Sequence, residues 1–525
     1  MFIRGDWFFI LLSLLTTAFM AKPYIYVLQQ DNYRLKGIFK SKTIRNAYVM
    51  DLITMLVFCV VYLVSSFLHS RGFWGFLIAI FFYIAEIVLY FAEDGEKKKP
   101  LKYTKRAVRG FGAIILVETV VITALLFHLS EVFQDEEGFL RYIGIIIFPA
   151  FYPLVLLFTM SIVNILEGLN NLRYERKTKK RLKDDNLLKI AITGSYGKTS
   201  VKNFLKELLD VKYKVLATPE SYNTPMGISK TVKGLDISHQ VFIAEMGARR
   251  VGDIKKLMKI VDPDISVLTG VNCQHLETFK TKENIVNEKL QIVKMLKKDG
   301  KAIVNGNLKH LIDVNLTDVD IIFAGVEGDL VWASDIAVGQ DGSVFKLHFG
   351  DETYIAETRL IGSHNVENLA VASAVAYALG VSPKHIVERI ATIEPVPHRL
   401  QLISRDVIRI IDDTFNGNPD GAEKALETLG YFEGRKVVVT PGLVELGENE
   451  IAENQLLGER ISKVADVVAL IGGKRSDYIK RGLGDFQGEV LHFDTLNEAQ
   501  KSFKDFIHIG DTILLLNDLP DVYED

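Results

Sequence analysis

The sequence predicts an α-helical membrane domain followed by an α/β region. In that region a P-loop central domain with a mostly parallel sheet precedes a smaller, Rossmann-like C-terminal α/β domain. Three observations predict this. Long apolar runs fill the first third of the 525 residues, and the mean hydropathy is positive at +0.17 with 48% hydrophobic residues. From Leu187 onward, short β-branched runs alternate with amphipathic ones, the texture of strands covered by helices. A glycine-rich turn sits between one such strand and one such helix.

The apolar runs are Trp7–Tyr26, Asp51–His69, Phe73–Phe91, Gly110–Leu129 and Tyr142–Leu166, each near the roughly 20 residues a bilayer-crossing helix needs. Lys22 and Pro23 interrupt the first; Pro149 and Pro153 predict a kink or break in the fifth. Basic residues cluster in alternate connections: Lys22 to Arg45, Lys97 to Arg109, and Arg173 to Lys183. The connection Ser130–Gly138 is acidic instead. Lys and Arg mark the cytoplasmic side, so five crossings place the N-terminus outside and the C-terminal region in the cytoplasm. A cleaved signal peptide over Met1–Ala21 would put the first basic loop on the wrong side. Residues 1–170 are thus expected to be transmembrane and 171–186 a basic cytoplasmic linker, either solvated or lying on anionic headgroups. Glu86 and Glu118 are ionisable groups within the apolar runs. Two cysteines, Cys59 and Cys273, lie far apart and predict no disulfide framework. The net charge of -3 gives no reason to expect nucleic acid.

The α/β region divides near Pro397–Ser404 into 187–400 and 401–525. Strands are predicted at Lys189–Thr193, Val241–Glu245, Ile265–Thr269 and Ala302–Asn305, and helices at Val201–Leu209, Asn284–Lys297 and Asn365–Ala378. The second part carries strand patterns at Val407–Ile411, Lys436–Thr440, Val467–Ile471, Val490–Phe493 and Thr512–Leu516.

The turn Gly194-Ser195-Tyr196-Gly197-Lys198-Thr199-Ser200 has the spacing of a short P-loop. Its glycines let backbone N–H groups face phosphate oxygens, and the helix that follows adds a favourable dipole. Lys198 supplies charge to the β- and γ-phosphates of ATP, and the Thr199 hydroxyl ligates Mg²⁺. Glu245 ends one strand, His275 and Glu277 follow another, and Lys289 sits on the next helix. Ligands gather at the C-terminal ends of parallel strands. Singly, each of these is more simply a cap, a loop residue or a surface lysine; their order behind the glycine loop raises the functional reading.

That order resembles the Mur ligase family, most closely its MurF type, which adds D-alanyl-D-alanine to UDP-MurNAc-tripeptide. The matching runs are Thr193 to Ser200, Ser221 to Gly227, Ala244 to Gly247, Thr269 to Glu277, Glu288-Lys289, Gly362 to Asn368, His398 to Leu400, Asp412 to Asp420 and Glu445 to Gly447. The resemblance implies that Glu245 holds a first Mg²⁺ and His275 a second. It implies that Lys289 carries a CO₂-derived carbamate that helps hold the second ion. Asn365 and Asn368 become adenine-side residues, Arg399 reaches the phosphates, and Asp413 is the ribose-side acid. The implied reaction is ATP-dependent amide formation: a carboxylate becomes an acyl phosphate, and an amino acid or small amine displaces phosphate.

Three departures qualify the resemblance. Membrane segments occupy the place of the family's UDP-sugar domain. Gln291 stands where the MurF type tends to have Glu, and no Lys-Gly-Ser-Arg run follows Gly510-Asp511-Thr512. Three readings therefore stay open. One is a ligase on a membrane-associated, lipid-linked or polymeric acceptor in the plasma membrane of a bacterium. A second is a tethered MurF-type enzyme, and a third is a transporter or flippase-like protein with a nucleotide-sensing domain.

Overall fold

A computed structural model describes residues 21–22, 24–29, 33, 35, 42–68, 77–78, 80–82, 84–85, 88, 103–132, 152–184, 186–272, 276–312, 319–405, 408–415 and 417–517. The chain divides into two units, 1–171 and 172–525.

Described by itself, the first unit holds helices α1 (Lys42–Leu68) and α2 (Lys105–Val132) and most of α3 (Tyr152–Arg181). Lys105–Ala124 and Tyr152–Arg181 are long and apolar enough to cross a membrane, and Leu52–Val64 is a shorter apolar stretch. The first and third apolar runs, the start of the fifth, Glu86 and Pro149 lie largely or wholly outside the described residues; Pro153 is in the first described turn of α3. Gly110 lets α2 approach Met160 of α3, for a Cβ there would lie 3.2 Å from the Met160 sulfur. Ile114 and Leu156 extend that contact in antiparallel sense. At the same end, Arg106 Nη2 donates to Asn164 Oδ1 (2.8 Å) and Arg109 Nε to Glu167 Oε1 (2.7 Å). Leu116, Val120, Leu154, Phe158 and Ile165 point outward, each more than 60% exposed. Glu118 is buried.

The second unit begins with the last turns of α3. The basic stretch read as a linker is helical through Arg181. One of its faces is packed: Thr178 Oγ1 donates to Ser229 Oγ (2.8 Å), Glu175 pairs with Lys256 (2.7 Å), and Arg181 donates to the Leu235 carbonyl. Spacing of three residues puts these on one side, leaving the lysines at 177, 179 and 180 exposed.

The central sheet comprises β1 (Leu188–Thr193), β2 (Val215–Ala217), β3 (Val241–Glu245), β4 (Ile265–Leu268), β5 (Lys301–Asn305) and β6 (Asp320–Ala324). Its order is β2-β3-β1-β4-β5-β6, and every pairing is parallel. Both faces are buried, as continuous apolar strands require. Ile190, Ile192, Val241 and Ile243 face one core, which includes helices α4 (Lys198–Leu209) and, further along the chain, Ser363–Ala378. Ala191, Phe242 and Ala244 face another, made with α5 (Pro225–Val232), α6 (Asp253–Val261) and, beyond the short α7 (Leu276–Phe279), α8 (Lys282–Lys294). Caps fix several helix starts: Thr224 accepts from Gly227 N–H with Pro225 following, and Thr281 accepts from Asn284 N–H.

An antiparallel three-stranded sheet not foreseen from sequence follows: β7 (Val331–Gly339), β8 (Gly342–Phe349) and β9 (Glu352–Thr358). Then come α9 (Ser363–Ala378) and α10 (Pro383–Ile390). The second large sheet comprises β10 (Gln401–Arg405), β11 (Ile408–Asp413), β12 (Lys436–Thr440), β13 (Val467–Ile471), β14 (Glu489–Phe493) and β15 (Thr512–Leu516). Its order is β10-β11-β15-β12-β13-β14, with only β10 antiparallel. Helix α11 (Pro419–Gly430) opens on an Asn418 cap whose side chain accepts from Gly421 N–H.

Candidate functional site

β1 ends at Thr193, and α4 begins five residues later at Lys198. The turn between them is tight for identifiable reasons. Gly197 has φ 76°, a left-handed value, and a Cβ there would lie 2.6 Å from Asn368 Oδ1. A Cβ at Gly194 would lie 2.1 Å from Thr269 Oγ1. Ser195 ties the loop to the end of β4: its N–H donates to the Gly270 carbonyl (2.6 Å), and its Oγ accepts from Asn272 N–H (3.1 Å). Tyr196 lies against Gly270, and its hydroxyl is pushed up to about 12 by burial, then by the charges of Asp420 and Glu367. Ser200 is buried in the first turn of α4.

Lys198 Nζ is held inside the loop, donating to the carbonyls of Gly194 (2.8 Å) and Ser195 (2.9 Å). Burial lowers its pKa to about 8; Glu245 opposes that shift and Arg399 adds to it. Thr199 Oγ1 donates to Glu245 Oε2 at 3.1 Å. Glu245, 1% exposed at the end of β3, also pairs with Lys202 at 3.1 Å and accepts from Asn223 Nδ2 at 3.2 Å.

Lys289 lies on the buried face of α8, 3% exposed, with no hydrogen bond or ion pair among the described residues. Its pKa is lowered to about 7, first by burial and then by the charge of Lys198, against Glu288, Asp253 and Glu245. The amine is thus shielded from bulk solvent and feels the charges of Lys198, Glu288, Asp253 and Glu245. The neighbouring Glu288 points elsewhere. Its two oxygens accept the N–H groups of Gly252 and Ile254, both at 2.7 Å, at the start of α6.

Arg399 comes from the junction between the two large sheets. Its guanidinium stacks 4.6 Å from the Phe415 ring centre, and burial lowers its pKa against the pull of Asp413 and Glu245. His398 (φ 61°) and Leu400 (φ 46°) flank it in left-handed conformations, a local strain that the surrounding structure must hold. Asp413 accepts from Leu400 N–H (3.0 Å); burial raises its pKa to about 6, while Arg399 and that hydrogen bond oppose the shift.

Asn368 sits against the glycine loop itself, and Asn365 Nδ2 turns back to the Ile361 carbonyl at 2.9 Å. His275, Cys273 and Asn416 lie outside the described residues, as does the side chain of Glu277. Among the described residues no group of three or more His, Cys, Asp and Glu converges as a metal site. The fold thus brings Lys198, Thr199, Glu245 and Lys289 to one edge of the central sheet, with Arg399 and Asp413 approaching from the junction.

Residues that the motifs leave without a role support this edge, the junction and the second sheet. Lys202 is signalled only by its spacing, one helical turn beyond Lys198. Asn272 Nδ2 donates to Asn418 Oδ1 at 2.7 Å, across the junction. Asn517 accepts from Gly417 N–H (3.1 Å) and donates to the Gly442 carbonyl (2.6 Å); a lone Asn after a strand gives no sequence signal.

Comparison with known proteins shows what the chain is similar to. Residues 192–376 match the Mur ligase middle domain, and residues 398–517 match the Mur ligase, glutamate ligase domain. The UDP-N-acetylmuramoyl-tripeptide--D-alanyl-D-alanine ligase of Buchnera aphidicola subsp. Baizongia pistaciae is 30% identical over 325 residues, covering 61% of this chain and 69% of that protein. The enzyme of the same name from Bacillus subtilis is 27% identical over 330 residues, covering 62% and 72%. Among solved structures, the MurF ligase of Thermotoga maritima in complex with ADP has a TM-score of 0.61 and 26% identity, covering 67% of this chain and 81% of that one. MurF from Acinetobacter baumannii has a TM-score of 0.60 and 26% identity, covering 66% and 77%.

Proposed function

The chain belongs to the Mur ligase family of ATP-dependent ligases, and on that premise we propose that it joins a carboxylate on a cell-envelope precursor to an amino acid or dipeptide amine at a bacterial plasma membrane. The observation that carries the site reading is the meeting of Lys198, Thr199, Glu245 and Lys289 at the C-terminal edge of the central sheet. The reading as a transporter's nucleotide sensor has no comparable support.

In the proposed reaction an acceptor carboxylate oxygen attacks the γ-phosphorus of ATP, and ADP leaves. The amine then attacks the acyl carbon, phosphate leaves, and the amine's proton passes to solvent or a base. Phosphoryl transfer needs positioning and charge neutralisation more than covalent help. Lys198 presents its ammonium within the loop that would cradle the phosphates. Arg399 brings a second cation from the junction, and Asp413 stands beside it for the ribose. The hydroxyl–carboxylate pair of Thr199 and Glu245 offers the hard oxygens that Mg²⁺ prefers and would hold the ion. That ion would neutralise charge developing on the phosphoryl group. His275 is proposed for a second ion.

Lys289 fits carbamylation for an electrostatic reason. Burial and the charge of Lys198 disfavour its ammonium and leave a neutral amine able to take up CO₂, while Glu288, Asp253 and Glu245 oppose a negative carbamate, whose charge a bound cation would offset.

Membrane attachment is supported by the two long apolar helices and their outward apolar faces. It favours an acceptor presented at the lipid surface. The names of the similar ligases favour a nucleotide-linked acceptor, UDP-MurNAc-tripeptide, as the second reading. Phosphate release by purified full-length protein in detergent, with candidate amines and either lipid-linked or UDP-linked peptide acceptors, separates them. Lys198→Ala should lower release by about 10³-fold. Release that needs neither amine nor acceptor, or survives in Lys198→Ala, would refute the ligase site as drawn.

A further inference from the structure

Helix α4 presents two polar groups to Glu245 at the end of β3, and the reaction above uses only Thr199. The other, Lys202, is fully buried, 0% exposed. Its ammonium lies 3.1 Å from Glu245 Oε2 and also donates to the backbone carbonyl of Glu220. Glu220 is a non-glycine residue at φ 42°, so that carbonyl is fixed in a conformation costly to an L residue. Two further bonds join the same strip of chain to Glu245, one at the carboxylate and one at the backbone. Asn223 Nδ2 donates to Glu245 Oε1 (3.2 Å), and Glu245 N–H donates to Thr218 Oγ1 (3.0 Å). Lys202 is therefore the side chain that ties α4, the end of β3 and the segment 218–223 to one carboxylate.

A buried Lys–Glu pair seldom stabilises a fold more than an apolar pair of similar volume. Its presence here is better explained by the direction it imposes. With Lys202 and Thr199 on one oxygen and Asn223 on the other, the carboxylate cannot rotate. Ligands held in place before binding cost less to organise when the ion arrives.

We propose that Lys202 is a positioning residue that fixes the Glu245 carboxylate in the direction from which it takes a divalent cation bound with nucleotide at Thr199. This rests on the reading of Glu245 as a cation ligand. Lys202 itself touches neither ion nor nucleotide.

The test is direct binding of Mn²⁺ to full-length protein with a non-hydrolysable ATP analogue, read from the loss of the free-ion electron paramagnetic resonance signal. Lys202→Met should weaken Mn²⁺ binding at least fivefold, and Lys202→Arg, which keeps the charge but not its compact shape, by less. Glu245→Gln should weaken it too, and adding Lys202→Met to Glu245→Gln should change nothing further, because residues acting through one group are not additive. Wild-type affinity in folded Lys202→Met, or additive losses in the double variant, would overturn the role of Lys202 while leaving Glu245 in place. If Lys202→Met does not fold, Lys202→Gln replaces it, and wild-type affinity in Lys202→Gln, or additive losses in Lys202→Gln/Glu245→Gln, overturns it. A wild-type protein that binds no Mn²⁺ alongside the nucleotide analogue overturns this proposal and the cation-ligand reading together.

Discussion

The two six-stranded sheets share a mostly parallel design, yet their C-terminal edges are built from different chemistry. At the edge of the central sheet, buried charges crowd together: Lys198, Lys202, Glu245 and Lys289. At the edge of the second sheet, neutral amides join loops to one another. Asn517 links 417 to 442, Asn454 links to the backbone of Leu443 and Glu450, and Asn418 caps α11. Burying charge without full pairing is costly and is tolerated where a ligand will complete the pairing. Amides cost less to bury once hydrogen-bonded and hold shape without a field. The first edge is thus organised for a polyanion and the second for holding loops in place.

The strongest way to break this contrast is Lys289→Ala. Amide formation should fall by about 10²–10³-fold, with partial recovery on adding a short carboxylic acid such as acetate. Full activity without an additive would show that the charge at this position is not used. Next comes Asn517→Ala, which strands the Gly417 N–H and the Gly442 carbonyl. Denaturant unfolding should register a loss of about 1–3 kcal/mol. A loss within error would mean that the amide scaffold at the second edge is ornamental.

The smallest effect concerns an acid that departs from the amide pattern there, Asp413, next to the buried Asp412. Burial lifts Asp413 from its ordinary value of 3.8 to about 6. Between about pH 4 and pH 6 the folded chain keeps a proton that the unfolded chain has released, so stability falls as pH rises through that window. Asp413→Asn removes the titration while retaining an acceptor for Leu400 N–H. The nucleotide-free variant should match the wild type near pH 4 and exceed it above pH 6, by on the order of 1 kcal/mol. Parallel pH profiles for the two proteins would show that Asp413 does not titrate in this window.

Much of the central edge was legible in the sequence, because strand–glycine turn–helix is a local pattern and backbone geometry enforces it. The helix after the loop begins at Lys198, slightly earlier than its apolar periodicity starts at Val201, since polar first-turn residues carry no amphipathic signal. Strands β7 to β9 were not anticipated: β7 and β9 mix polar and apolar residues on a sheet with one solvated face. The Asn272–Asn418 contact spans 146 positions, and no periodicity reports a pairing at that range. Lys202 looks like any helical lysine until burial is known. A run of charge suggests a solvated linker, whereas the stretch through Arg181 is a helix packed along one face; charge density alone does not report that face.

The Asn272–Asn418 contact also has a mechanical meaning. A neutral amide pair of this kind contributes only about 1 kcal/mol net, because water replaces it readily when the halves part. It registers the two halves against each other and, should they part, would release at little cost. A buried ion pair in its place would hold the halves more firmly, because separating them would expose two charges.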